Sequence, residues 1–147
     1  MDPRDPLFVD TNVFLRLLTG DNADMQAESF QLFARAAAGD VRLWTSQLVL
    51  AELAWTLRSF YQMPRPQIAR TLRGVLDLQG VSIEPRAVLH AAVDLLESRN
   101  VGFADALFAA EIQARGQSRI CSYDRDFDLP GLARIHPRQV LESLAGE

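Results

Sequence analysis

The stretch Leu7-Phe8-Val9-Asp10-Thr11-Asn12-Val13-Phe14-Leu15-Arg16-Leu17-Leu18 decides the fold class of this 147-residue chain. Leu7 to Asp10 is a short apolar run ending in an acid, and it reads as a strand. Apolar residues at 13, 14, 17 and 18 then follow at helical spacing, so a helix begins at Thr11. Working outward, the same alternation recurs. A helix is expected over 23 to 38, with Phe30 and Phe33 on one stripe and Gly39 as its stop. Val41 to Thr45 is a second strand, and Thr45 or Ser46 caps a long apolar helix running to Tyr61. Pro64 and Pro66 punctuate, and a further helix reaches Leu78. Val81-Ser82-Ile83 is a third strand, followed by helices over 86–98 and 103–115. Ser118 to Ser122 and Ala133 to Ile135 are the fourth and fifth strands, and Pro137 opens a last helix to Leu144. Strands alternating with helices predict an α/β fold. The expectation is one domain over 1–147, with a parallel central sheet of four to five strands and helices on both faces.

Composition removes whole classes of chemistry. All 15 basic residues are arginine. Without lysine there is no P-loop lysine, no Schiff base and no lysine general base. One cysteine excludes a disulfide framework and a cysteine-based zinc finger. The acidic start Met-Asp-Pro-Arg-Asp-Pro does not read as a signal peptide. No stretch approaches the roughly 18–20 uninterrupted apolar residues of a membrane span. With the single Cys121, these features lead us to expect a cytoplasmic protein without a membrane partner.

The plentiful reactive groups are carboxylates. In parallel α/β sheets, ligands sit beyond the C-terminal ends of the strands. Asp10 closes the first strand, Asp124 follows the fourth, and Asp105 opens the helix that leads into the fourth. Glu52 lies in Leu48-Val49-Leu50-Ala51-Glu52-Leu53-Ala54-Trp55, whose helical neighbours include no cation. An ionised carboxylate there is costly if buried without a partner or a metal. Each acid also has a plainer role available. Asp10 and Asp105 can cap helices, Asp124 can make an Asx turn, and Glu52 can face solvent. Asp126 is a second candidate on the Asp124 loop, and sequence does not rank the two. Together, several carboxylates on one rim repel unless a hard divalent cation joins them, and oxygen ligands suit Mg²⁺ or Mn²⁺.

These segments resemble the successive motifs of PIN-domain ribonucleases, in particular the VapC-type toxins of toxin–antitoxin pairs. The matching stretches are Phe8-Val9-Asp10-Thr11-Asn12-Val13, Ala51-Glu52-Leu53, Phe103-Ala104-Asp105-Ala106-Leu107 and Ser122-Tyr123-Asp124-Arg125-Asp126-Phe127. They occur in the family's order, and the resemblance runs from Leu7 to about Val140. It implies a PIN-like three-layer fold and a metal-dependent endoribonuclease that cleaves single-stranded or looped RNA through metal-activated water. It assigns metal binding to Asp10, Glu52, Asp105 and Asp124. Asn12 is expected to orient Asp10 or a bound water, and Thr11 and Ser46 are candidate supporting hydroxyls, with helix capping as the competing role. The resemblance further implies Mg²⁺ (Mn²⁺ plausible), an RNA substrate, a cognate antitoxin protein and a homodimer. The alternative is a catalytically inactive PIN-like module that binds RNA or serves as a scaffold.

The lysine-free composition supports this choice, because haloacid-dehalogenase phosphatases and response-regulator receivers share a strand-then-acid layout but depend on a lysine. The net charge of −4 equals the charge of the four assigned carboxylates, so the remainder of the chain is neutral. An acidic total is therefore compatible with an RNA substrate, though salt-driven binding is expected to be weak. Of the remaining residues, Trp44, Trp55 and Cys121 are expected in the core, His90 as a satisfied helix residue and His136 in a surface turn. Arg16, Arg58 and Arg99 are expected as scattered surface charges, with phosphate contact as their alternative role.

Overall fold

The computed structural model describes Asp2 and Arg4 through Gly146; two residues of the quoted N-terminal stretch, Met1 and Pro3, and the terminal Glu147 lie outside the described residues. The chain alternates as the sequence predicts. β1 (Leu7–Phe8) leads into α1 (Thr11–Leu18) and α2 (Ala23–Ala37), then β2 (Leu43–Ser46), α3 (Gln47–Ser59) and α4 (Arg65–Leu76). β3 (Val81–Glu84), α5 (Arg86–Ser98) and α6 (Phe103–Ala114) follow. β4 (Arg119–Cys121), a 3₁₀ turn (Arg125–Phe127), β5 (Ala133–Ile135) and α7 (Pro137–Ala145) complete the order.

All five expected strands form, and every pairing is parallel. They divide into a three-stranded sheet, β1-β2-β3, and a separate β4-β5 pair, where a single sheet of four to five strands was expected. The elements are short: β1 contributes two residues, and β4 and β5 three each. Such ladders carry few hydrogen bonds with which to extend a sheet. Leu43, Thr45, Val81 and Ile83 face the core, while Trp44 and Ser82 alternate outward. Phe8 and Trp44, in register across β1 and β2, meet edge to face at 4.8 Å on the outward side. Trp44 is thus a half-exposed sheet residue and not the core residue expected.

The core lies where the helices meet this sheet. Leu50, Leu53 and Leu57 turn the inner face of α3 toward Leu72 and Leu76 of α4 and toward Leu89 and Val93 of α5. Phe14 of α1 packs on Phe33 of α2 with ring centroids 5.2 Å apart. Phe30, placed on the same stripe from sequence, is 65% exposed, because the inward stripe of α2 runs through Ser29, Phe33 and Ala36 and leaves Phe30 beside it. Arg73 joins α4 to α5 through Asp94 (2.7 Å) and Glu97 (2.8 Å). At the end of α2, Gly80 adopts φ +80° directly against the Ala36 carbonyl. A Cβ there would collide with backbone, so this close approach requires glycine.

Candidate functional site

Asp10 leaves β1 immediately before α1 and caps that helix, its Oδ1 accepting from the Thr11 N–H at 2.8 Å. The strand end is held from the side: the Thr45 hydroxyl donates to the Val9 carbonyl at 2.8 Å. The Asn12 amide reaches Asp10 Oδ2 only at 3.5 Å, the outer limit of a hydrogen bond, so its hold on Asp10 is loose. Thr11 does more than cap. Its hydroxyl donates to Glu52 Oε2 at 2.7 Å, tying the start of α1 to the second turn of α3. Glu52 itself is exposed. The burial cost inferred from its apolar neighbours therefore does not arise, because Leu50, Leu53 and Leu57 turn inward and leave Glu52 on the outer side of α3. Ser46 acts as the cap of α3, its hydroxyl accepting from the Val49 N–H at 3.4 Å.

The tightest grouping of carboxylates is elsewhere on the rim. Asp105, in the first turn of α6, gathers with Asp124 and Asp126, one oxygen from each lying within 4.8 Å of the others. The folding reason is local. Phe127 closes the 3₁₀ turn and buries itself against Ala109 of α6, one helical turn beyond Asp105. Phe108 adds an aromatic contact to Phe127 at 6.4 Å. That anchor draws the Asp124–Asp126 loop onto the start of α6. Asp124 caps the turn by accepting from the Asp126 N–H at 2.9 Å, and its own N–H donates to the Ser122 hydroxyl at 2.9 Å. Partial burial, and then the charges of Asp124 and Asp126, hold the Asp105 carboxyl above its ordinary pKa.

Asp10 and Glu52 do not fall within that 4.8 Å group. The sequence reading paired Asp105 with Asp124 and left Asp126 unranked; both loop acids reach Asp105. The group offers carboxylate oxygens alone, and like charges there already disfavour ionisation of Asp105. That donor set fits a hard divalent cation, which would turn the repulsion into coordination.

The PIN domain family matches residues 7–131. The chain belongs to that family. It is also similar to the protein named VapC ribonuclease from Aquifex aeolicus (strain VF5), at 23% identity over 129 residues, covering 88% of this chain and 95% of that protein. The matched PIN segment spans Asp10, Glu52, Asp105, Asp124 and Asp126 and ends beyond the Asp124–Asp126 loop.

Two residues expected in the core, Trp55 and Cys121, lie outside it. Trp55 is 70% exposed, one turn along α3 from Glu52, and is not a core residue. Cys121 is exposed because β4 lies in a two-stranded pair without deep cover. His90 is half-buried with its Nε2 3.6 Å from Asp77. His136 caps α7 reciprocally with Gln139 and packs edge-on against Tyr123 at 4.8 Å. Among the described residues, no helix is long and apolar enough to cross a membrane.

Proposed function

We propose that this chain is a metal-dependent endoribonuclease that cleaves single-stranded or looped RNA, and that it is the toxin of a toxin–antitoxin pair. The observation that carries the reading is the convergence of Asp105, Asp124 and Asp126 from two elements within 4.8 Å, in a PIN-family chain. These three side chains would hold the cation, with Mg²⁺ the expected ion and Mn²⁺ suited to the same oxygens. When bound, such an ion polarises a phosphodiester and makes water a stronger nucleophile near neutral pH.

The chain's own residues supply the rest. Asp10 keeps one carboxylate oxygen on the α1 N-terminus and leaves the other with only the loose Asn12 contact. Glu52 is oriented through one oxygen by Thr11. Both complete the proposed metal-binding and catalytic set with Asp105 and Asp124, and Asp126 joins it. No nucleophilic side chain is required. An acidic site of this kind is silenced by a cationic side chain, so a cognate antitoxin is expected to place an arginine among the carboxylates. The reading carries with it a cytoplasmic location and a homodimer.

The direct test is incubation of purified protein with total cellular RNA in Mg²⁺, in Mn²⁺ and in EDTA, beside Asp105→Asn. Cleavage that requires the ion and is lost in the folded variant supports the reading. Folded wild-type protein that binds RNA but cuts none of it under either ion favours the inactive binding module.

A further inference from the structure

A cavity of about 190 Å³ opens between α3, α4 and the start of α6. Its walls include Trp55, Arg58, Met63, Arg65 and Phe103. Ala51 and Ala104 also line it, and these immediately precede Glu52 and Asp105 in the chain. The cavity is therefore walled by the two helices that carry Glu52 and Asp105, and Trp55 stands one turn along α3 from Glu52. The cavity is smaller than the roughly 300–1,000 Å³ of a site for a drug-sized ligand, so it suits one ring system. Trp55 stands at its edge 70% exposed.

The two arginines differ. Arg65 is committed to the fold, donating to the carbonyls of Leu96 (2.8 Å) and Val101 (2.6 Å) and to Asn100 Oδ1 (3.1 Å). Arg58 has no hydrogen-bond or ion-pair partner among the described residues. Burial, and then the Arg58 charge, pull the Arg65 guanidinium below its ordinary pKa, so two like charges share this wall. The first residues of α6 have no side-chain cap, which leaves N–H donors at the same wall. An apolar protein segment would fill the cavity but leave the arginine charges unanswered. A nucleotide supplies a planar ring and an anion together.

We propose that this cavity is a nucleobase subsite beside the carboxylates, with Trp55 as its stacking platform and Arg58 as the contact for the adjoining phosphate. The proposal rests on the ribonuclease reading above and names where that RNA is held. It also explains how an acidic site attracts a polyanion: affinity comes from a stacked base and a guanidinium on its flank.

The test separates binding from cleavage. In Asp105→Asn carrying Trp44→Phe, Trp55 is the sole tryptophan. Its emission is titrated with hexanucleotides of U, A, C and G. Saturable quenching by at least one hexamer is expected. No quenching is expected when Trp55→Phe replaces Trp44→Phe, which leaves Trp44 as the reporter. In the otherwise wild-type protein, Trp55→Ala is expected to lower kcat/KM for a short RNA at least about fivefold, the lower range for loss of one stacked base, and Trp55→Tyr to restore most of it. Trp55 emission unchanged by all four hexamers overturns the proposal and leaves the cavity to a protein side chain. Unchanged kcat/KM in Trp55→Ala, with Asp105→Asn inactive, overturns it while the ribonuclease reading stands. Quenching without any cleavage by wild type retires the ribonuclease reading and leaves the base subsite.

Discussion

The Thr11 hydroxyl donates a 2.7 Å hydrogen bond to Glu52 Oε2 across 41 residues of sequence. Thr11 is buried and Glu52 is exposed, so the buried member of the pair orients the exposed one. Thr11→Val keeps the shape and removes the donor. We expect it to cost about 1 kcal/mol, roughly 4 °C in Tm for a chain of this size. RNA cleavage is expected to fall more than tenfold, with Thr11→Ser close to wild type. Thermal melts and initial rates check this, and full activity in Thr11→Val would remove Glu52 orientation from the mechanism.

Added Mg²⁺ or Mn²⁺ is expected to raise Tm by mass action. At one hundred times the dissociation constant the gain is about 2.7 kcal/mol, or several degrees. Asp124→Asn and Asp126→Asn should each shrink that shift, and the larger loss identifies the stronger ligand. Calorimetric titration of the two variants gives the ranking that sequence left open.

Asp105 gives a pH dependence whose sign follows from its raised pKa. A carboxyl raised above its unfolded value of 3.8 favours the fold while protonated. That contribution is fully present below 3.8 and is lost as pH rises through the raised folded-state value. In EDTA, Asp105→Asn is therefore expected to gain on wild type across this window and to hold the gain at higher pH. In excess Mg²⁺ near neutral pH the order should reverse, because the ion stabilises wild type more. Melts at a series of pH values read the difference; one that is flat with pH in EDTA would contradict the account.

Phe127 holds the two loop acids against α6 without being an acid itself. Phe127→Ala is expected to cost about 3 kcal/mol, at the lower end for a buried phenylalanine because its cluster is small. Metal affinity should fall with it although every carboxylate remains, and Phe127→Leu should recover much of both. Chemical denaturation and metal titration on the same samples test the coupling.

Much of the fold was legible because local signals agreed. Asp10, Asn22 and Ser46 cap helices where the apolar period begins, and Gly39 and Gly80 sit at positive φ in turns. The acids were legible as element ends. Their grouping was not. Asp126 stood unranked beside Asp124 in the sequence; the packing of Phe127 on Ala109 brings both to Asp105, and that contact spans parts of the chain that no periodicity links. Trp44 and Trp55 were misplaced for a related reason. A large apolar residue is ordinarily buried, but one ring faces outward from the sheet and the other borders a cavity.

The sequence by itself determined the parallel α/β alternation, the exclusion of lysine chemistry in a chain without lysine, and the PIN resemblance. Those properties are written in neighbouring residues and in composition. Only the tertiary structure decided which acids meet, that Thr11 serves Glu52, and that the strands divide into three and two. Those outcomes depend on long-range packing, where a few buried side chains such as Phe127 fix the distance between groups far apart in the chain.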